Sequence, residues 1–157
     1  MISSFVHVTV GFCILGIVLF HQDASYGQDT GDGAQSFSVV LLPDTQNYSE
    51  KYPDTYIAQA LWIRRQAKQD NIKFAIHLGD IVQTSTKKPE WENADRAMRL
   101  LDGVVPYSVA PGNHDMVVKN RDSTLYNKYY SPARFAGRKW YGGHMGDNND
   151  NNYCFFE

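Results

Sequence analysis

The chain has 157 residues, 43% apolar, 13% aromatic and 20% charged, with a formal net charge of -2 and a pI near 6.2. That composition suits one globular domain of ordinary size and excludes a disordered, collagenous or coiled-coil chain. The charge balance gives no general electrostatic reason to bind nucleic acid or an anionic membrane surface, and two cysteines cannot build a disulfide scaffold.

Residues 8–20 form an uncharged apolar run, followed by small and polar residues with Ser25, Tyr26 and Gly27 as a small-x-small site. This pattern predicts a secretory signal peptide over residues 1–27, although no Lys or Arg precedes the run. A retained N-terminal anchor is the alternative, and only it would bring the protein to a membrane. A spanning helix needs about 20 apolar residues, which residues 1–20 supply only by including Ser3, Ser4, His7 and Thr9. Phe12 stands before Cys13 where lipid attachment would need a small residue. Either way the remainder is expected to be exported to the periplasm, cell surface or medium. Residues 1–27 hold one acid, Asp23, and no Lys or Arg, so residues 28–157 carry -1 and keep Cys154 alone.

Residues 28–35 are Gly/Asp-rich and aperiodic, a flexible leader. Three units with the same grammar follow. Residues 36–42 read as a strand that runs into Pro43, Asp44, Thr45 and Gln46. Residues 55–69 read as a helix with Tyr56, Ala60, Ile63 and Ala67 on one stripe and Asp54 as N-cap. Residues 74–78 form a second strand ending on Gly79 and Asp80. Residues 91–101 form a second helix carrying Trp91, Ala94, Met98 and Leu101 at helical spacing. Residues 104–109 form a third strand that leads into Pro111, Gly112, Asn113, His114 and Asp115. Alternating short apolar strands and helices predict an α/β fold with a right-handed parallel βαβαβ unit, its strands buried on both faces. Beyond Asp115 the pattern weakens: a short helix at 123–130, a Gly/Asn/Asp-rich loop at 134–152 and a new strand at 152–156. An apolar strand with no cap or turn after it is a poor place for a domain to finish, so residues 36–157 read as a truncated domain.

In an open α/β sheet the ligand site lies outside the carboxyl ends of the strands, where Asp44, Asp80, Asn113 and His114 all fall. Two carboxylates, the amide oxygens of Gln46 and Asn113 and an imidazole suit Mn, Fe or Zn, and carboxylates shared between ions suit a two-metal site. Gly79 and Gly112, each just before one of these residues, let backbone approach closely.

The ordered set Asp44-Thr45-Gln46, Gly79-Asp80-Ile81-Val82 and Gly112-Asn113-His114-Asp115 resembles the calcineurin-like metallophosphoesterase superfamily. The resemblance covers residues 36–157 and implies the N-terminal half of a four-layer α/β/β/α sandwich with a dinuclear centre of two divalent or trivalent ions. It implies that Asp44 and Gln46 ligate the first metal, that Asp80 bridges both, and that Asn113 ligates the second. It also implies that His114 contacts the phosphoryl oxygens and assists or protonates the leaving group. Asp115 itself reads as a carboxylate that orients His114, with a plain turn residue as the alternative. The implied substrate is a phosphomonoester or phosphodiester. Two departures stand out. Gln46 replaces the commoner His, and the later metal-ligand His and Gly-His-x-His element have no match. A non-catalytic remnant is therefore the alternative, and residues 28–157 alone are expected to be inactive.

Other residues have plainer readings. His77 reads as a satisfied core histidine. His144 reads as part of a long loop over the site rim. Trp140 and Tyr141 read as aromatic packing, and the Asp/Asn run at 147–152 lacks the acid ladder of a calcium loop.

Overall fold

A computed structural model describes residues 18–19 and 36–156. The expected signal peptide and leader otherwise lie outside the described residues. Strands β2 (Ser38–Leu42), β3 (Ile72–His77) and β4 (Tyr107–Val109) form a parallel sheet in that order, and β1 (Val18–Leu19) pairs antiparallel along the outer edge of β2. The crossovers carry α1 (Gln46–Lys51), α2 (Pro53–Gln66) and α3 (Lys88–Met98), the last ending in a 3-10 turn at Arg99–Leu101. The fold is α/β with a parallel sheet, as the alternation of elements predicts.

The predicted helical stripes are the packed ones. Tyr56, Ala60 and Ile63 of α2, and Trp91, Ala94 and Met98 of α3, join Leu101 in one core with Val40, Leu42, Ala75, Tyr107 and Val109. Burial of such apolar faces is what holds short helices of this kind. The start of α2 differs from expectation. Pro53 takes the first helical position and Tyr52 the cap, because proline's fixed φ and missing N–H fit a position whose amide has no helical partner.

A second difference concerns the sheet. Its strands alternate between buried residues (Val40, Leu42, Ala75, His77) and half-buried ones (Val39, Leu41, Ile76, Ser108). Among the described residues only one face is fully covered, so burial on both faces is not observed. On the other face Phe74 is enclosed by Phe156, stacked at 5.0 Å, and Trp140, edge-on at 5.7 Å.

After β4 come α4 (Thr124–Tyr129), α5 (Pro132–Phe135) and a two-stranded antiparallel sheet of β5 (Tyr141–His144) and β6 (Asn152–Cys154). Arg134 fastens this region to the core. Its guanidinium donates to Asp95, to the Tyr107 hydroxyl (2.7 and 3.0 Å) and to the Tyr129 carbonyl (3.0 Å). Among the described residues no helix is long and apolar enough to cross a membrane.

Candidate metal centre at the strand ends

The three strands end in register. Leu42 pairs with His77 and His77 with Val109, and the ladder extends one bond further through Leu78 N–H to Leu42 O (2.9 Å) and Ala110 N–H to His77 O (3.1 Å). Neighbouring strands lie about 4.8 Å apart, so the loops that leave them start side by side. Asp44, Asp80 and Asn113 stand two, three and four residues beyond those paired ends.

The second and third loops touch backbone to backbone. A Cβ built on Gly79 would lie 2.7 Å from the Gly112 nitrogen, and Gly79 holds φ +106°. Hydrogen bonds then fix their relation. Asp115, fully buried, accepts from Ile81 N–H (2.9 Å) and Val82 N–H (3.0 Å) through one oxygen and from Gly112 N–H (2.7 Å) through the other. Burial raises its carboxyl above the ordinary value, while those three amides pull the other way. Asp80 Oδ1 accepts from His114 N–H at 3.0 Å.

The His114 side chain is oriented by a group other than the one expected. Its Nδ1 lies 2.9 Å from the Gln83 carbonyl, which only accepts, so Nδ1 carries the proton and Nε2 stays available. Both oxygens of Asp115 are taken by backbone amides, so the orienting role read for Asp115 belongs to Gln83 instead. A backbone acceptor leaves no mark in a sequence, which is why Gln83 was missed.

The first loop is joined to the second through His77. Gly79 N–H donates to His77 Nδ1 (3.1 Å), and Nε2 lies 2.9 Å from Thr45 Oγ1, which donates in turn to Ile81 O (3.2 Å). Ser49 Oγ, on α1, also donates to Ile81 O at 2.6 Å. His77 is therefore the satisfied core residue that the sequence suggests. Burial lowers its pKa from 6.5 to about 3, which keeps it neutral.

Between pH 6.5 and 3 the unfolded chain binds a proton at His77 that the native state refuses. Stability is therefore complete above pH 6.5 and falls as the pH drops through that window, by up to about 1.4 kcal/mol per unit. Urea midpoints measured between pH 7.5 and 5 are expected to fall, and to fall less in His77→Gln.

Asp44 and Asp80 both adopt left-handed backbone, φ +34° and +50°. Asp and Asn tolerate that region best, and such conformations gather at functional sites where surrounding structure holds them. Asp44 and Asn113 are exposed, and Asp80 and His114 are half-buried. Among the described residues no three His, Cys, Asp or Glu side chains come together as a metal cluster. The strand-end loops instead carry two carboxylates and the amides of Gln46 and Asn113. Gln46 Oε1 is buried without a hydrogen-bond partner. A buried acceptor left so costs about 1–3 kcal/mol, a deficit that a cation beside Asp44 would remove. The residues present fit a divalent ion.

The Asp/Asn run packs against the end of β4, where Asn152 donates to the Val109 carbonyl at 3.0 Å. His144 ends β5 rather than lying in a loop, and its Nδ1 meets the Tyr141 hydroxyl at 3.0 Å. Asn149 and Asp150 bond inward to Tyr130, Ser123 and Asn127, which agrees with a structural reading of that run. A cavity of about 280 Å3 lies at the amino end of β4, among Asp102, Pro106, Tyr107, Phe135 and Trp140. It is remote from the strand-end loops, and its Arg134 is already engaged by protein partners.

A family model of calcineurin-like phosphoesterases matches residues 37–155. Uncharacterized protein YvnB of Bacillus subtilis (strain 168) is 41% identical over 113 residues, which are 71% of this chain and 9% of that protein. The chain thus spans less than a tenth of the curated relative it matches. No solved structure matches it.

Proposed function

Since the chain belongs to the calcineurin-like phosphoesterase family, we propose that its strand-end loops form the metal-binding part of a phosphate-ester hydrolase. The family is one of phosphoesterases that use divalent metals. The supporting observation is that Asp44 and Gln46, Asp80, and Asn113 and His114 follow the in-register ends of three parallel strands, whose loops are linked by hydrogen bonds through Thr45 and His77 and from His114 N–H to Asp80.

On this reading Asp44 and Gln46 would hold one cation, Asn113 another, and Asp80 would serve both. When bound, such ions neutralise phosphoryl oxygens and lower the pKa of water toward about 7. The protein's own part is orientation and proton transfer. Asp44 and Asp80 are carried on left-handed backbone, and the Gln83 carbonyl fixes the His114 ring. With Nδ1–H held by Gln83, Nε2 of His114 is free to contact the phosphoryl group, and when the ring carries a second proton on Nε2 it can give that proton to the leaving oxygen and return to the neutral Nδ1–H form, a contribution of typically ~10²–10⁴ in rate. Export, with removal of residues 1–27, belongs to the same proposal, and N-terminal sequencing of the secreted protein tests it.

A second reading, a remnant that binds metal poorly and does no chemistry, draws support from the sparse anionic set. Calorimetric titration with Mn2+ separates the two. Saturable binding that disappears with EDTA, and Mn2+-dependent nitrophenol release from an aryl phosphate by the polypeptide as its gene encodes it, are expected for the hydrolase. Absence of both would establish the remnant.

A further inference from the structure

The geometry points to His77 as a positioning residue that sets the separation of the first and second ligand loops, an inference that rests on the metal-dependent reading above. His77 is the last residue of β3, fully buried, and paired with Leu42 on one side and Val109 on the other. It occupies the middle of the three strand ends. Its two ring nitrogens work on different loops. Nδ1 accepts from the amide of Gly79, the neighbour of Asp80, and Nε2–H donates to the hydroxyl of Thr45, which lies between Asp44 and Gln46.

The tautomer follows from the partners. The Gly79 N–H can only donate, so Nδ1 carries the lone pair and the proton sits on Nε2. Thr45 Oγ1 accepts a hydrogen bond from Nε2–H and donates its own to Ile81 O, which closes a circuit between the two loops. The ring is rigid, so the distance between its nitrogens fixes the distance between Thr45 and Gly79. Such a brace has something to hold. Asp44 and Asp80 both sit at positive φ, a conformation that a non-glycine residue keeps only when neighbouring structure imposes it. An apolar residue at position 77 would fill the space and leave both loops without the link. Partners one step behind the ligands typically alter metal affinity about 10–100-fold when removed.

The test compares His77→Phe, His77→Gln, Thr45→Val and the double variant His77→Phe with Thr45→Val. Ile63→Ala, a core change on α2, serves as a control of comparable destabilisation. Two readouts are used: calorimetric Mn2+ affinity, and amide hydrogen exchange over residues 46–49 in the metal-free protein. Expected are an at least tenfold loss of Mn2+ affinity in His77→Phe and partial recovery in His77→Gln, whose amide can still donate to Thr45. Little further loss is expected on adding Thr45→Val. Exchange over residues 46–49 should quicken in His77→Phe and not in Ile63→Ala. If the wild-type chain takes no Mn2+ yet exchange responds as stated, the hydrolase reading fails while the brace stands. Unchanged exchange in His77→Phe, or an affinity loss no larger than that of Ile63→Ala, would overturn the proposal.

Discussion

Asp115→Ala is expected to lower the unfolding free energy by about 3–6 kcal/mol, measured by urea denaturation at neutral pH. The reason is a count of orphans. The carboxylate is the acceptor for the amides of Ile81, Val82 and Gly112, and the residue has no exposure to solvent. Each buried donor stripped of its acceptor costs about 1–3 kcal/mol, and a small domain has only about 5–15 kcal/mol to lose. Water entering the space left by the side chain would moderate the loss. Asp115→Asn should fall between. Its carbonyl oxygen can keep the pair at Ile81 and Val82, but its amide then faces the Gly112 N–H, donor to donor. The pH dependence separates this residue from His77. A raised carboxyl pKa means that the native state binds its proton more readily, so Asp115's own contribution declines as the pH rises just above its unfolded value of 3.8. His77 acts in the opposite sense over its own window. A loss below 1 kcal/mol in Asp115→Ala would show that the two loops do not depend on this carboxylate.

The same contrast explains what the sequence discloses and what it hides. Helical spacing reports the buried face directly, so Tyr56, Ile63, Trp91 and Met98 were legible as core. Apolar runs ending in Gly-Asp or Pro-Gly-Asn-His marked the strand ends, and the register of the sheet brings those loops together. Strand β5 left no such trace. Its residues are Tyr-Gly-Gly-His, with no apolar alternation, and its pairing with β6 is irregular between Tyr141 and Gly143. What makes it a strand is tertiary: the ring of Tyr153 lies over Gly142, where a Cβ would come within 2.4 Å of it. The glycine that erases the sequence signal is what admits the ring. The partners of the site residues were hidden for a related reason. Asp115 bonds to amides and His114 to a carbonyl, and backbone groups are present at every position whatever the side chain.

Gly112→Ala carries the other large expected effect, and it acts on geometry more than on stability. A methyl group at this position would lie 2.2 Å from Asp80 Oδ1 and 2.3 Å from the Asp80 backbone nitrogen. A carboxylate can swing aside, but a backbone nitrogen cannot, so the two loops must part by about 1 Å to reach ordinary contact distance. Overpacking of this kind typically costs about 1–3 kcal/mol, which leaves the protein folded. The site fares worse. Asp80 and Asn113 lie on the two loops being separated, and the Gly112 N–H to Asp115 and His114 N–H to Asp80 bonds span the same gap. A misplacement of about 1 Å is enough for a loss near 10²-fold in rate, and Mn2+ affinity is expected to fall with it. Gly103→Ala is the matched control. Gly103 holds φ +73° with nothing within 4 Å of its added methyl, so alanine there pays for the left-handed backbone alone, about 1–2 kcal/mol. Mn2+ titration and aryl-phosphate hydrolysis, each set beside a urea melt, distinguish the pair. Gly103→Ala should lose stability and keep the metal, whereas Gly112→Ala should lose the metal at comparable stability. Equal metal affinity in the two variants would mean that the close contact of the Gly79 and Gly112 loops does not govern where Asp80 stands.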